Sequence, residues 1–311
     1  MKTSVLIIGG NGYIGSRLRQ YLAQSHSVVS IDSGWFNRDS SSLIMDYRDV
    51  TPELLDEFDA IVLLAGHSSV NLCNGDIKAP WLNNVTNFEN LVSKLNKQHL
   101  LIYASSASVY GNSEPGQLHT EDYINFNPVN NYDITKYTLD LQAQLEIDAG
   151  KSIIGLRFGT VNGWSPNLRT DVMINAMFDS AKRNKQIVVT NKHISRALLG
   201  IEDLCRAIDK CLGAQHPEFS GIYNLASFNT TVDEISQIVS KELNVPIEDR
   251  GTTSGAYDFG LDCTKFKKRF SFEFQETPYS IVQSLVNGYN SCQIERRDEY
   301  ITYEWKKYDK F

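Results

Sequence analysis

The chain has 311 residues, 41% of them hydrophobic, with a net charge of −7 and a pI near 5.4, and a chain of that length can bury about three quarters of its unfolded surface in one or two domains. The acidic balance argues against a nucleic-acid or anionic-membrane surface, while leaving room for a local basic pocket that takes a phosphate. Five cysteines at 73, 205, 211, 263 and 292 include no C-x-x-C pair, so no disulfide framework and no metal site are expected, and the expected compartment is a reducing cytoplasm. The longest apolar run, Ala60 to Ala65, is far short of the ~20 residues of a membrane span, and no targeting segment is expected.

The chain opens on Ser4-Val5-Leu6-Ile7-Ile8, an apolar run that suits a strand covered on both faces. Gly9, Gly12 and Gly15 follow, and then apolar residues at helical spacing, which reads as strand, tight turn and helix. Free N–H groups at the helix start, with the positive end of its dipole, make a site for a pyrophosphate. A second strand, Ser27 to Asp32, ends in an acid about 20 residues after the glycines, where a dinucleotide fold holds the adenosine ribose. Further elements are predicted as a strand over 43–47, a helix over 52–58 and a strand over 59–65 that again runs into glycine at Gly66. His67 follows as a loop histidine, since none of the six histidines has metal-ligand spacing.

Trp81, Val85, Phe88, Leu91, Val92 and Leu95 predict a helix over 80–97 with more than one apolar face, one for the sheet and one for a partner. A strand over 99–104 ends in Ser105 and Ser106, and a long loop from Gly111 to Asn130 is read as functional. The helix that follows carries Tyr132 and Lys136 on one face, with Ile134, Tyr137, Leu141 and Leu145 as its expected apolar side. A strand over 151–158 completes about six parallel strands. The pattern predicts an α/β chain, a doubly wound Rossmann sheet over residues 1–160 with a smaller α/β domain over 161–311 whose chain can cross back to the first. Its aromatic tail, Tyr300, Tyr303, Trp305, Tyr308 and Phe311, is expected to pack on its own domain or a neighbour.

Tyrosine titrates near 10, so its use as a base at neutral pH needs a depression of about three units. A lysine one turn away can supply part of it, a nicotinamide cation more, and a serine hydroxyl can share the moving proton. Ser106, Tyr132 and Lys136 suit those roles.

At these residues the sequence resembles the extended short-chain dehydrogenase/reductase family, particularly its nucleotide-sugar epimerases and dehydratases. Gly9 to Gly15 matches G-x-x-G-x-x-G, Asn83-Asn84-Val85 the N-N-V helix motif, and Ser105 to Gly111 the S-S-x-x-V-Y-G stretch. Pro128 to Tyr132 with Lys136 matches P-x-S-x-Y-x-x-x-K, and Leu156 to Gly163 is similar to L-R-x-x-N-V-x-G. The resemblance implies Tyr132 as base, Lys136 holding the nicotinamide ribose, and Ser106 bonding the sugar hydroxyl. It implies a cofactor site of Gly9, Gly12, Tyr13, Ile14, Gly15, Asp32, Asp46, Tyr47, Leu64, Ala65, Gly66, Asn84, Ser105, Tyr132, Lys136 and Phe158, with Asp46 and Tyr47 at the adenine. Ser106, Thr160 and Arg196 are the implied substrate contacts, Arg196 at the diphosphate. Thr160 stands in place of the family's usual Asn, and no arginine precedes Tyr257 where a second phosphate ligand is often found.

Ala107 and Ser108 stand where the resembling dehydratases carry an Asp-Glu acid/base pair, so elimination is disfavoured, and the cysteine of the 3,5-epimerase/reductases is absent too. What remains is hydride transfer at carbon 4 of a nucleotide sugar: 4-epimerisation, or a 4-dehydrogenase or 4-keto reductase. A non-catalytic redox sensor is the competing class, and it would dispense with the tyrosine and lysine. Asp32, with no cation immediately after it, predicts NAD over NADP, Arg38 being the nearby candidate for rescue. The resemblance also implies a homodimer built from the helices at 80–97 and 132–149, with Phe88 as the position where a charge would weaken association.

Overall fold

The computed structural model describes residues 2–35, 41–75, 77–114, 116–123, 125–214, 217–254 and 256–295; Arg38 and the aromatic tail lie outside them. Seven strands form one parallel sheet: Ser4–Ile8 (β1), Ser27–Asp32 (β2), Leu43–Ile44 (β3), Ala60–Leu63 (β4), Leu100–Ser106 (β5), Ser152–Phe158 (β6) and Gly221–Leu225 (β7). Their order is 7-6-5-4-1-2-3, so direction of travel reverses between β1 and β4, and at such a switch point a crevice opens at the carboxyl ends of the strands. In register, Ile8 lies beside both Ile31 and Leu63, Leu63 beside Tyr103, and Ser106 beside Phe158. The expected third strand over 43–47 is cut to two residues because Asp46 accepts the Arg48 N–H at 3.0 Å and starts a 3₁₀ turn instead. β7 pairs with β6, so the chain returns to the sheet after leaving it near residue 160.

Alternation along β1 divides the core. Leu6 and Ile8 pack with Ile61, Leu101, Phe88 and Leu91 on one face; Val5 and Ile7 pack with Leu18, Val62 and Ile154 on the other, in a cluster continuous with the helices of the second half. Tyr13–Leu22 (α1) lies on this second face, while Asn87–Lys94 (α2) and Asn131–Asp148 (α3) cover the first. Phe88 is wholly buried, with its ring 5.2 Å from Tyr103; it faces the sheet, so it does not present the outward apolar face expected of it.

α3 departs from its expected polarity: it buries Leu139 and Ala143, but beside polar residues. Leu141 and Leu145 point outward, whereas Asp133, Thr135, Lys136 and Asp140 are buried. The polar residues are tolerated there because they have partners: Asp140 pairs with Arg157 at 2.7 Å and accepts from the Tyr103 hydroxyl at 2.9 Å.

The second half contributes a three-stranded sheet of Thr160–Asn162, Ser195–Gly200 and Phe228–Thr231, with helices Met173–Asn184, Ile201–Leu212 (α4), Val232–Leu243 and Pro278–Gly288 around it. The long loop after Gly111 contains Leu118–His119, which pairs with Gly260–Leu261; its His119 ring stacks on Tyr110 at 4.7 Å. It therefore straps the two halves together.

A cluster of acids joins α4 to the segment before the last helix. Arg17 of α1 reaches Glu202 at 2.5 Å, Asp203 accepts from Ser227 and from the Gln275 and Glu276 N–H groups, and the Glu276 carboxylate accepts the N–H groups of Glu202 and Asp203 at 2.8 and 3.0 Å. Burial, with Asp203 and Glu202 adding repulsion, pushes Glu276 up to about 7. Its folded value exceeds its unfolded one, so the folded state holds an extra proton between about pH 4.5 and 7 and loses stability as pH rises through that window. Glu276→Gln should flatten this slope. Urea unfolding at pH 5 and 7.5 checks it: the difference in midpoint between the two pH values should shrink in the variant.

Candidate active site

The glycine turn after β1 is shaped by backbone contact. Gly9 has a φ of +96°, and a Cβ there would lie 2.6 Å from the Ala65 nitrogen; on Gly15 it would lie 2.0 Å from the Gly9 carbonyl oxygen. Gly12, by contrast, has nothing nearer than 3.5 Å to such an atom and faces an open cleft of about 870 Å³. The turn is thus tight on its protein side and bare on its ligand side, as close backbone approach to a pyrophosphate requires. Ile14, Gly15, Leu64, Ala65 and Gly66 line the same cleft, and so do Asp32, Asp46 and Tyr47. The Asp32 carboxylate accepts the N–H groups of Asn11 and Gly34 at 3.0 and 2.7 Å, and burial raises its pKa.

Between Lys78–Trp81 and α2 the helix widens into a π-turn, Leu82–Thr86. Single π-turns cluster at functional sites because they re-aim side chains. Here the turn directs two asparagines at the β4 edge. Asn84 accepts the His67 N–H at 2.8 Å and donates to the His67 carbonyl at 3.1 Å and Thr135 Oγ1 at 3.0 Å. It is buried, and the neighbouring Asn83 lines the cleft. Asn83 Nδ2 lies 3.0 Å from His67 Nδ1, and Tyr47 donates to the Asn83 carbonyl. Burial drives His67 down to about 4, so it is a neutral loop histidine at physiological pH.

The first cleft continues into a second of about 1330 Å³, and Tyr13, Ile14, Leu64, Gly66, Ser68 and Arg169 border both. Its walls bring together Ser105, Ser106, Tyr132, Lys136, Phe158, Thr160 and Arg196. β5 delivers the serines at its carboxyl end, and the first turn of α3 delivers Tyr132 and Lys136 one turn apart. Asn130 caps that turn by accepting the Asp133 N–H at 3.1 Å. Ser106 Oγ lies 2.9 Å from Ser108 Oγ. Arg196 donates to the Tyr257 carbonyl at 3.2 Å and approaches Thr160 Oγ1 at 3.5 Å.

Burial raises the Tyr132 phenol above its ordinary value, opposed by a hydrogen bond from Ser106 and by the charge of Arg169. Burial also pulls the Lys136 ammonium down to about 8, and the ammonium donates to the Ala104 carbonyl at 2.8 Å. The chain's own residues thus leave the phenol raised. Ser105 Oγ, buried in the wall, has no partner among the described residues, an orphaned polar atom of the kind a ligand satisfies.

Some cleft residues carry no signal in sequence. Trp35 and Ser68 belong to no motif, and Arg169 reaches the cleft from the strand Asn167–Arg169, which pairs with Gln293–Glu295. Its guanidinium is held by Asp171 at 2.5 and 3.1 Å and donates to the Ser68 carbonyl at 3.3 Å.

Comparisons with known proteins agree with this geometry. The low-salt glycan biosynthesis protein Agl12 of Haloferax volcanii is 24% identical over 289 residues, 85% of this chain and 91% of that protein. The UDP-glucose 4-epimerase of Lactobacillus helveticus is 30% identical over 178 residues, 52% of each. The structure of a UDP-N-acetylglucosamine 4-epimerase from Methanobrevibacter ruminantium M1, in complex with UDP-N-acetylmuramic acid, superposes with a TM-score of 0.81 at 20% identity, covering 92% of this chain and 99% of that one. Other similar proteins include a GDP-6-deoxy-D-mannose reductase, ADP-heptose 6-epimerases and a dTDP-glucose 4,6-dehydratase. Residues 5–226 match the NAD dependent epimerase/dehydratase family, and the chain, with a dinucleotide cleft built to fit NAD, belongs to that family of enzymes.

Proposed function

We propose that the protein is an NAD-dependent nucleotide-sugar 4-epimerase that oxidises carbon 4 of its substrate transiently. The observation that carries the proposal is the composition of the second cleft. Ser106, Tyr132 and Lys136 all line it, and among its described lining residues the one carboxylate, Asp171, is engaged by Arg169. That set suits removal and return of a hydroxyl proton beside a hydride acceptor. It offers no free acid to expel a hydroxyl from a neighbouring carbon, which argues against dehydration. A 4-keto reductase uses the same residues, and the similarity to a GDP-6-deoxy-D-mannose reductase over 79% of this chain keeps that reading as the alternative. The setting would be carbohydrate biosynthesis in the cytoplasm.

In this reading Tyr132 takes the proton of the sugar hydroxyl, Ser106 orients that hydroxyl, and Lys136 binds the nicotinamide ribose. Thr160 and Arg196 hold the nucleotide diphosphate. Bound NAD supplies the hydride acceptor and a positive charge beside the phenol. The glycine turn seats the pyrophosphate, and Asp32 accepts from the adenosine ribose.

Tyr132→Phe should lower turnover by about 10²–10⁴-fold with little change in NAD or substrate affinity, since only the proton acceptor is lost. Lys136→Met should lower turnover and NAD affinity together. A screen of UDP-, GDP-, dTDP- and CDP-sugars by NMR should show scrambling at carbon 4 without net NADH release; accumulation of a keto sugar or NADH would establish the oxidoreductase alternative instead.

Asp32 offers a negative charge where a 2′-phosphate would sit. Asp32→Ser should narrow the preference for NAD over NADP by about tenfold, roughly 1.4 kcal/mol, in calorimetric titration of the two cofactors.

The homodimer is proposed on the outward face of α3, where Leu145 is 71% and Leu141 49% exposed. The two leucines stand four residues apart and so share one face of the helix. Leu141→Glu with Leu145→Glu should convert a dimer into monomer in sedimentation at micromolar concentration; a wild-type monomer under the same conditions would remove the proposal.

A further inference from the structure

The two halves of the chain meet over the second cleft. Tyr132 stands on the first turn of α3, in the first half, and Arg196 on the strand Ser195–Gly200, in the second; both line that cleft. A nucleotide sugar bound as proposed above reaches from one to the other, so the separation between them has to suit the length of the substrate.

A short path of hydrogen bonds joins the two. Arg196 donates to the Tyr257 carbonyl at 3.2 Å, and the Tyr257 hydroxyl donates to the carboxylate of Asp133, the residue after Tyr132, 2.9 Å from each of its oxygens. Each end of the path is fixed. In the second half, Asp258 accepts the Ser195 N–H at 2.7 Å, the Phe259 N–H donates to the Ser195 carbonyl at 3.1 Å, and the Ser113 N–H donates to the Asp258 carbonyl at 2.8 Å. The backbone that carries Tyr257 is therefore tied to the strand of Arg196 by contacts that do not involve the tyrosine side chain. On α3, Asp133 is wholly buried; its N–H donates to the Asn130 side chain at 3.1 Å, and its carboxylate accepts from the Val129 N–H at 3.2 Å and from Asn130 Nδ2 at 3.0 Å. A carboxylate this buried is held in one place by its donors, and the first turn of α3 is held with it.

We propose that the Tyr257–Asp133 hydrogen bond is a strut that sets the separation between Arg196 and Tyr132, and so places the reacting hydroxyl against the base once the diphosphate is seated. Tyr257 and Asp133 are positioning residues in this scheme, which rests on the reading of Arg196 at the diphosphate and of Tyr132 as base. Arg196 meets the Tyr257 carbonyl and not its side chain, so loss of the hydroxyl leaves the diphosphate contact intact and loosens only the span. A misplacement of about 1 Å can cost as much as 10²-fold in rate.

The experiment is Tyr257→Phe in NAD-loaded protein, with turnover measured on UDP-, GDP-, dTDP- and CDP-sugars and affinity for UDP, GDP, dTDP and CDP measured by calorimetry. At saturating sugar, kcat should fall about tenfold while the Kd for the diphosphate stays within about twofold of wild type. Asp133→Asn should show the same split, and the double variant should be no slower than the slower single one, since both changes cut one bond. A kcat in Tyr257→Phe within about twofold of wild type would overturn the inference. So would a fall in kcat matched by an equal loss of diphosphate affinity, which is what a general loosening of the fold produces. Failure of the underlying reading shows separately, as unchanged diphosphate affinity in Arg196→Gln or turnover retained in Tyr132→Phe, and the inference falls with it.

Discussion

Where strand order reverses, the Ile8 carbonyl accepts the N–H groups of both Leu64 and Ala65, at 2.8 and 2.9 Å, and Gly9 sits so close to Ala65 that no side chain fits between them. This seam joins the two wings of the sheet at the level where their strands end. On one side β2 brings Asp32 to the edge; on the other β5 and β6 bring Ser106 and Phe158. A bulkier residue at the seam would push the wings apart and separate the ribose-side acid from the serine wall. The two clefts share Tyr13, Leu64 and Gly66 because they meet over this same contact.

Burial has opposite consequences on the two faces of α3. A helix whose inner face carries Asp133, Thr135, Lys136 and Asp140 would be destabilising in an apolar bed, but each has been given a partner: Tyr257, Asn84, Ala104 and Arg157 respectively. Satisfied in this way, a polar face specifies one seating of the helix, since a rotation would strand several groups at once. The leucines are displaced outward as a result.

Much of this was legible in the chain. Gly9, Gly12, Gly15 and Asp32 are readable because a pyrophosphate turn and a ribose acid leave residue types at fixed spacing along one strand-turn-helix-strand unit. Tyr132 and Lys136 are readable because one helical turn separates them. The orientation of α3 was not, because periodicity reports faces without saying which is inside, and here the inner face mixes Leu139 and Ala143 with four polar residues. Tyr257 meets Asp133 across 124 positions, and Arg169 meets Ser68 across 101; no local pattern encodes contacts made only by the return of the second half. The amide oxygen and nitrogen of Asn84 are engaged with the His67 backbone and Thr135, again contacts between distant segments.

The π-turn at Leu82–Thr86 also bears on how this helix can tolerate insertion and deletion. A π-turn holds one residue more than the regular helix it interrupts, and each residue turns a helix by about 100° and advances it by ~1.5 Å. Loss of a single residue within 82–86 would restore an unbroken α-helix from Lys78 to Lys94 and leave Phe88 and Leu91 free to keep their places on the sheet. The asparagines would then rotate off the β4 edge, and the Gly66–His67 backbone would lose the amide that braces it. The segment is thus one in which a shorter sequence folds more regularly and holds its cleft less well.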